Sequence, residues 1–214
     1  MASTEATGSA SDSASPETTV SAAPEEEPSL MGELDGDQYV NEALGFTATI
    51  PEGWLFSSDE DFKNCTGVDR DITKTLTGMK PESYEPVFVC SEYTYGEGSS
   101  GNPNINICYS NETVFKRILT ESSVLESTSD MLVESFKSYF SSAIVEVVNQ
   151  GTISIKDQKY TTINLKADFG DFIMYEDQLY TGIRNGVLVT TFTYFSLEEK
   201  DIEYAFMNSL EFED

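Results

Sequence analysis

The first 38 residues contain no lysine, no arginine and almost nothing that a core could use, and then the sequence changes abruptly. From Met1 to Asp37 the chain is largely Ser, Thr, Ala, Glu and Pro, with nine carboxylates that include the run Glu25-Glu26-Glu27. Such a stretch cannot offset its own conformational entropy by burial, so disorder is expected. From Tyr39 onward aromatic and β-branched residues arrive at regular spacing, beginning with Gly45-Phe46-Thr47-Ala48-Thr49-Ile50-Pro51-Glu52-Gly53-Trp54. The boundary predicts an acidic tether over residues 1–38 and a single globular domain over 39–214, a length that suits one domain with its own core.

The formal charge of −26 restricts the partners. Nucleic-acid backbones and anionic lipid surfaces are bound by releasing counterions to lysine and arginine, and this chain has only 12 of those against 38 acids. A basic partner or a cationic ligand suits such a surface. No window approaches the roughly 18–20 consecutive apolar residues of a transmembrane helix. The N-terminus also lacks the cationic and apolar regions of a signal peptide. Two readings follow: a mature chain whose export signal has been removed, or a cytosolic protein with an acidic tail. The tail resembles the tether that follows the lipidated cysteine of Gram-positive surface lipoproteins. The expected location is therefore extracytoplasmic, at the cell surface, with membrane contact only through an N-terminal lipid anchor that this sequence does not contain. As a coil the tether would reach roughly 30–35 Å.

Phe46, Ala48 and Ile50 alternate with Thr47 and Thr49, the period of a half-buried strand, and Trp54-Leu55-Phe56 is either a short second strand or an aromatic plug. Ser58–Lys63 and Asp71–Leu76 read as short helical turns. Val87–Tyr95 and Ile105–Tyr109 read as an antiparallel pair joined by the Gly-rich segment 96–103. Leu132, Phe136, Tyr139, Phe140 and Ala143 predict an amphipathic helix with Asp130 as its N-cap. Strands return at Ile153 and Ile155, turn at Lys156-Asp157-Gln158-Lys159, and continue with Ile163, Leu165, Ala167 and Phe169 on one face. Phe172–Ile183 and Val187–Phe195 flank Asn185-Gly186, the favoured centre of a two-residue hairpin. Ser196-Leu197-Glu198-Glu199 reads as a capping box for a last helix whose Ile202, Ala205, Phe206 and Leu210 share a face. The order predicts an α+β fold, a mainly antiparallel β-sheet with helices packed on it.

The opening from Tyr39 through Pro51-Glu52-Gly53-Trp54 resembles the start of the Mog1/PsbP-like fold, an α/β sandwich in which a strand ends in a Pro-x-Gly-Trp turn. The closing segment is similar as well, a hairpin from Leu179 to Phe195 and then an acidic helix ending at Met207-Asn208-Ser209-Leu210. Small extracytoplasmic bacterial lipoproteins of that fold resemble this chain in both tail and domain. Functions of the fold range from photosystem assembly to partnership with a nuclear transport GTPase. The resemblance therefore implies an architecture and carries over no functional residue.

The search for chemistry returns negatives. The chain has no histidine, which removes Ser-His-Asp and Cys-His pairs, zincin motifs and the usual acid/base near neutral pH. Asp59-Glu60-Asp61 reads as the acidic first turn of a helix. Asp168-Phe169-Gly170 spells the kinase metal-binding tripeptide without the rest of the kinase set. The Gly-rich 96–103 loop has no lysine and no helix after it, so it is not a phosphate loop. Cys65, Cys90 and Cys108 contain no Cys-x-x-Cys pair; Cys90 and Cys108 are either buried thiols or a cross-strand disulfide. Asn64 and Asn111 begin glycosylation sequons, which matter only in a eukaryotic secretory context. Calcium is the most credible cofactor, with Asp35-Gly36-Asp37 and Asp168/Asp171 as candidates, although neither completes a calcium loop and no cofactor at all is the simpler expectation. Tyr93, Tyr95 and Tyr109 form the candidate interaction surface beside the Gly-rich loop, with half-buried packing as the alternative. The function expected is a non-catalytic binding or assembly module for an unknown protein or cell-envelope ligand. A carboxylate-dependent hydrolase or a calcium-dependent carbohydrate-acting protein is the alternative.

Overall fold

Alternating apolar and polar residues between 144 and 194 build four long strands, and the rest of the fold is arranged around them. The computed structural model describes residues 30–57, 85–92 and 102–213. Its strands are β1 (Glu33–Asp35), β2 (Gln38–Asn41), β3 (Phe46–Thr49), β4 (Leu55–Phe56), β5 (Glu85–Ser91), β6 (Asn104–Ser110), β7 (Ile144–Ile155), β8 (Gln158–Asp168), β9 (Ile173–Ile183), β10 (Gly186–Tyr194) and β11 (Glu211–Phe212). The helices are α1 (Thr113–Ile118), α2 (Ser122–Tyr139) and α3 (Lys200–Ser209). Seven strands form one antiparallel sheet in the order β4-β5-β6-β10-β9-β8-β7, and β1-β2-β3-β11 form a smaller one. The fold is α+β, as expected.

Two apolar cores lie on the two faces of the large sheet. On one face Phe115 and Ile118 of α1 and Leu125, Leu132 and Phe136 of α2 cover Ile163, Leu165, Tyr180 and Val189. These helices carry the chain from β6 across the sheet to its edge at β7. On the other face the small sheet and α3 contribute Tyr39, Phe46, Phe206 and Met207 against Phe88, Ile107 and Phe192. Phe206 packs on Phe88 and Phe192 with ring centroids 5.3 and 5.7 Å away. Among the described residues no helix is long and apolar enough to cross a membrane.

Several expectations need correction. Residues 30–38, assigned to the tether by composition, belong to the domain. β1 pairs with β2 through the Gly36-Asp37 loop, where Gly36 sits at φ 69°. Asp35-Gly36-Asp37 is therefore a hairpin turn. Tyr39 locks this hairpin down: its buried hydroxyl accepts from the Gly32 amide at 2.7 Å and from Asn41 Nδ2 at 3.0 Å, and donates to the Val87 carbonyl. α2 begins at Ser122, so Asp130 is an exposed mid-helix residue rather than an N-cap. Its buried stripe runs through Thr128 and Ser129, whose hydroxyls bond back to the Val124 and Leu125 carbonyls at 2.8 and 3.0 Å. That bonding lets polar side chains sit on the packed face, where the apolar pattern gave no signal.

Asn185-Gly186 is also displaced by one position. The loop is Arg184-Asn185, and Gly186 pairs with Ile183 as the first residue of β10. Glycine at 186 serves close packing rather than a turn: a Cβ there would lie 2.4 Å from the Ser110 carbonyl oxygen and 2.6 Å from the Tyr109 ring. Cys90 stands opposite Ile105 and Cys108 opposite Pro86, and both are buried free thiols. They do not face each other, so the cross-strand disulfide is not made. Burial raises both thiols and pushes Cys108 up to about 12. The helical turns expected at 58–63 and 71–76, and Cys65, lie outside the described residues.

Candidate functional site

The β8–β9 connection is short and aromatic. The Asp168 Oδ1 accepts the Gly170 amide at 2.8 Å, Gly170 takes φ 87°, and the Phe169 amide bonds the Phe172 carbonyl at 3.0 Å. This tight turn stacks Phe169 on Phe172, with centroids 4.5 Å apart and planes at 12°. Phe140 beyond α2 and Phe195 beyond β10 abut the stack at 5.3 and 6.2 Å. After β10 the chain bends, because the Glu199 carboxylate accepts the Phe195 amide at 2.8 Å and the Ser196 amide at 3.4 Å. Ser196 is not the N-cap expected of it, because α3 begins at Lys200 with Glu199 at its N-cap and no side-chain cap bond; the Glu199 contacts instead hold Ser196 and Leu197 at the rim beside the β8–β9 turn.

Between these two connections lies an open depression of about 370 Å³, lined by Asp168, Gly170, Asp171, Phe172, Ile173, Tyr175, Phe195, Ser196 and Leu197. Register places Ile144, Asp168 and Ile173 in one cross-strand row at its edge. Apolar side chains around it are exposed: Ile144 by 73%, Leu197 by 66% and Phe172 by 40%. An apolar rim thus stands beside two carboxylates. The sequence reading grouped Asp168 with Asp171, and the structure does bring them to one site. Among the described residues, however, no three His, Cys, Asp or Glu side chains converge as a metal set. Two carboxylates fall short of the six to eight oxygens of a calcium site.

A buried charge cluster supports the floor of the depression. Tyr175 stacks on Tyr194 with centroids 5.1 Å apart. The Tyr194 hydroxyl donates to Asp177 Oδ2 at 3.1 Å, and Lys200 Nζ reaches the same oxygen at 2.8 Å. Asp177 is only 1% exposed, so Lys200 of α3 neutralises a carboxylate that burial would otherwise penalise. Burial pushes Lys200 down, but the hydrogen bond and charge of Asp177 outweigh it and raise the ammonium above its ordinary range. Glu203 stands on the next turn of α3, with Oε2 3.9 Å from Lys200 Nζ and no hydrogen-bond partner. Burial, followed by the Asp177 charge, raises the Glu203 carboxyl and favours its protonated form. The pair converges but is packed under α3, and neither carboxylate lines the depression.

On the opposite face of β9, Tyr180, Gln178 and Glu176 form a ladder. The Tyr180 hydroxyl donates to Gln178 Oε1, and Gln178 Nε2 donates to Glu176 Oε1 at 2.7 Å. Glu176 is 1% exposed, its Oε2 has no partner, and burial pushes the carboxyl up to about 8. Sequence reasoning missed Glu176, Asp177, Lys200 and Glu203. A signal existed: acids are depleted in strands, and Glu176-Asp177-Gln178 lies in the middle of one.

Of the expected tyrosine surface only Tyr109 lies among the described residues. Tyr109 pairs with Glu85 at the end of β6 remote from the Gly-rich loop, while Asn104, next to that loop, pairs with Ser91. Five residues of strand separate Tyr109 from Asn104, roughly 17 Å. In an antiparallel pair the residues next to the turn meet each other, and Tyr109 is far from the turn. Its hydroxyl lies 3.4 Å from the Asn185 carbonyl, and its ring covers Gly186. Tyr93 and Tyr95 lie outside the described residues.

No family model and no curated protein matches the sequence. Among solved structures, cyanobacterial PsbP (CyanoP) from Synechocystis sp. PCC 6803 is similar at 14% identity and a TM-score of 0.53, over 85% of this chain and 98% of that one. A protein from Bacteroides thetaiotaomicron matches at 13% identity and a TM-score of 0.43 over 85% of this chain, which spans only 50% of the Bacteroides protein. A protein of unknown function from Pseudomonas aeruginosa, PA94, described as a putative regulator, matches at 12% identity and a TM-score of 0.33, over 57% of this chain and 76% of that one. At such identities a likeness shows the fold alone, and it is the cyanobacterial protein that shows it. The architecture of this chain is the Mog1/PsbP-like α+β fold.

Proposed function

We propose that this domain is a non-catalytic binding or assembly module, and that its working surface is the depression between the β8–β9 turn and the Phe195–Leu197 segment. The occupant is a segment of another protein that carries basic residues and an apolar anchor. The observation that carries this reading is the exposure of Ile144, Phe172 and Leu197 around a hollow whose charges are Asp168 and Asp171. Exposed apolar groups gathered in one place mark interaction surfaces, and the chain's charge of −26 steers a cationic segment toward them. The absence of histidine from the sequence weighs against acid/base catalysis. The Ser/Thr/Ala/Glu-rich composition of residues 1–29 supports display outside the cell behind a lipid anchor, where a tether would raise the local concentration near a membrane-bound partner.

The test is fluorescence anisotropy with a short labelled peptide alternating lysine and leucine. Binding should weaken in Asp168→Asn/Asp171→Asn and in Leu197→Ser, and it should fall with added salt, while the melting temperature stays within about 2 °C of wild type. Unchanged affinity in both variants would remove the depression from the account.

A further inference from the structure

The two edges of the large sheet are unlike. β4 ends it with two residues, whereas β7 ends it with twelve. β7 bonds β8 on one side, and among the described residues nothing pairs with its other side. Long edges are normally shielded by charged side chains, proline, bulges, shortness or a covering element. β7 has no lysine, arginine or proline, α2 covers one face only, and its single irregularity is a bulge at Val148. Ile144, Val148 and Ile153 are exposed by 73%, 59% and 38%. The only charged side chain on the strand is Glu146, which meets Lys166 of β8 at 3.3 Å. The strand begins at Ile144, in the same cross-strand row as Asp168, so the edge runs directly into the rim of the depression.

We propose that the basic segment bound at the depression continues as an extended strand hydrogen-bonded to the free edge of β7. This rests on the reading of the depression given above and adds the conformation of the occupant. Main-chain bonds to β7 supply affinity, and one face of the added strand meets Ile144 and Ile153 and runs on to the Asp168 carboxylate, which shares the cross-strand row of Ile144. Charge selects the occupant: a second copy of a chain at −26 brings repulsion to the same edge, whereas a lysine-bearing segment relieves it.

The experiment uses the full chain and a labelled peptide alternating lysine and valine, compared with the same peptide N-methylated on each of its two sets of alternate amides in turn. Methylation keeps the charge and removes the donors of one strand edge. The parent should bind, one methylated form should bind at least tenfold more weakly, and Val148→Lys should weaken the parent without lowering the melting temperature. Amide exchange along Asn149–Ile155 should slow with the parent and not with the weakly binding methylated form. Equal binding of all three peptides would overturn strand addition. The depression itself would still stand if Asp168→Asn/Asp171→Asn weakened that binding. No binding of the parent at millimolar concentration overturns both readings. A dimer in sedimentation velocity that Val148→Lys abolishes would assign the edge to a second copy instead.

Discussion

Replacing Glu176 by glutamine should remove most of one pH dependence from the stability of this domain. Glu176 is fully buried with an unpartnered Oε2, and burial pushes its carboxyl up to about 8 from an ordinary 4.5. A group whose pKa is raised on folding contributes fully below its unfolded value, and that contribution is lost as pH rises toward the folded value. Between pH 4.5 and 8 the folded protein keeps a proton that the unfolded chain has released, so stability falls by about 1.4 kcal/mol per pH unit. At pH 7 the accumulated loss is about 3 kcal/mol, a large share of the 5–15 kcal/mol typical of a domain. Glutamine keeps the shape and the bond from Gln178 and has nothing to ionise. Thermal unfolding by circular dichroism at constant ionic strength should give midpoints for the two proteins within about 3 °C of each other at pH 5. At pH 7 glutamine should lead by roughly 6–12 °C, since 1 kcal/mol shifts a domain of this size by about 2–4 °C. Glu203 titrates in both proteins, so the difference isolates Glu176. Parallel midpoint curves from pH 5 to 8 would mean that Glu176 is ionised in the folded state, and the reasoning would fail.

Three further predictions concern packing. Gly186→Ala places a methyl 2.4 Å from the Ser110 carbonyl and should lower stability by about 1–3 kcal/mol, read as a shifted urea midpoint at constant slope. Lys200→Met leaves Asp177 buried without its cation; because Lys200 is 38% exposed, the loss should be about 1–3 kcal/mol, and a second change, Asp177→Asn, should recover part of it. Tyr39→Phe strips partners from the Gly32 amide and the Val87 carbonyl, so it should cost about 1–3 kcal/mol and speed amide exchange in β1 more than in β9.

What was legible in the sequence was whatever repeats with the period of a strand or ends in punctuation. Ile163, Leu165 and Ala167 alternate and lie in one core, and Lys156-Asp157 turns the chain where expected. Other features depended on partners far away in sequence. Glycine at 186 serves the close approach of Ser110 and Tyr109, and no local propensity records that. Thr128 and Ser129 hide half of α2 because their hydroxyls bond their own helix. Residues 33–38 of the small-sheet hairpin have the acidic composition of a tether, while Tyr39 holds them down through hydroxyl contacts that composition does not register. The candidate site was half visible: Asp168 and Asp171 stood out as acids, but the exposure of Phe172 and Leu197 depends on how two connections meet in space.

Backbone amide NMR can report whether a partner docks at the depression beside β7. Titrating the full chain with the alternating lysine–leucine peptide should shift the amides of Gly170–Ile173 and Phe195–Leu197, and the shifts should disappear in Asp168→Asn/Asp171→Asn. Shifts confined to Asn104–Ser110, or spread evenly over the acidic surface, would contradict docking there.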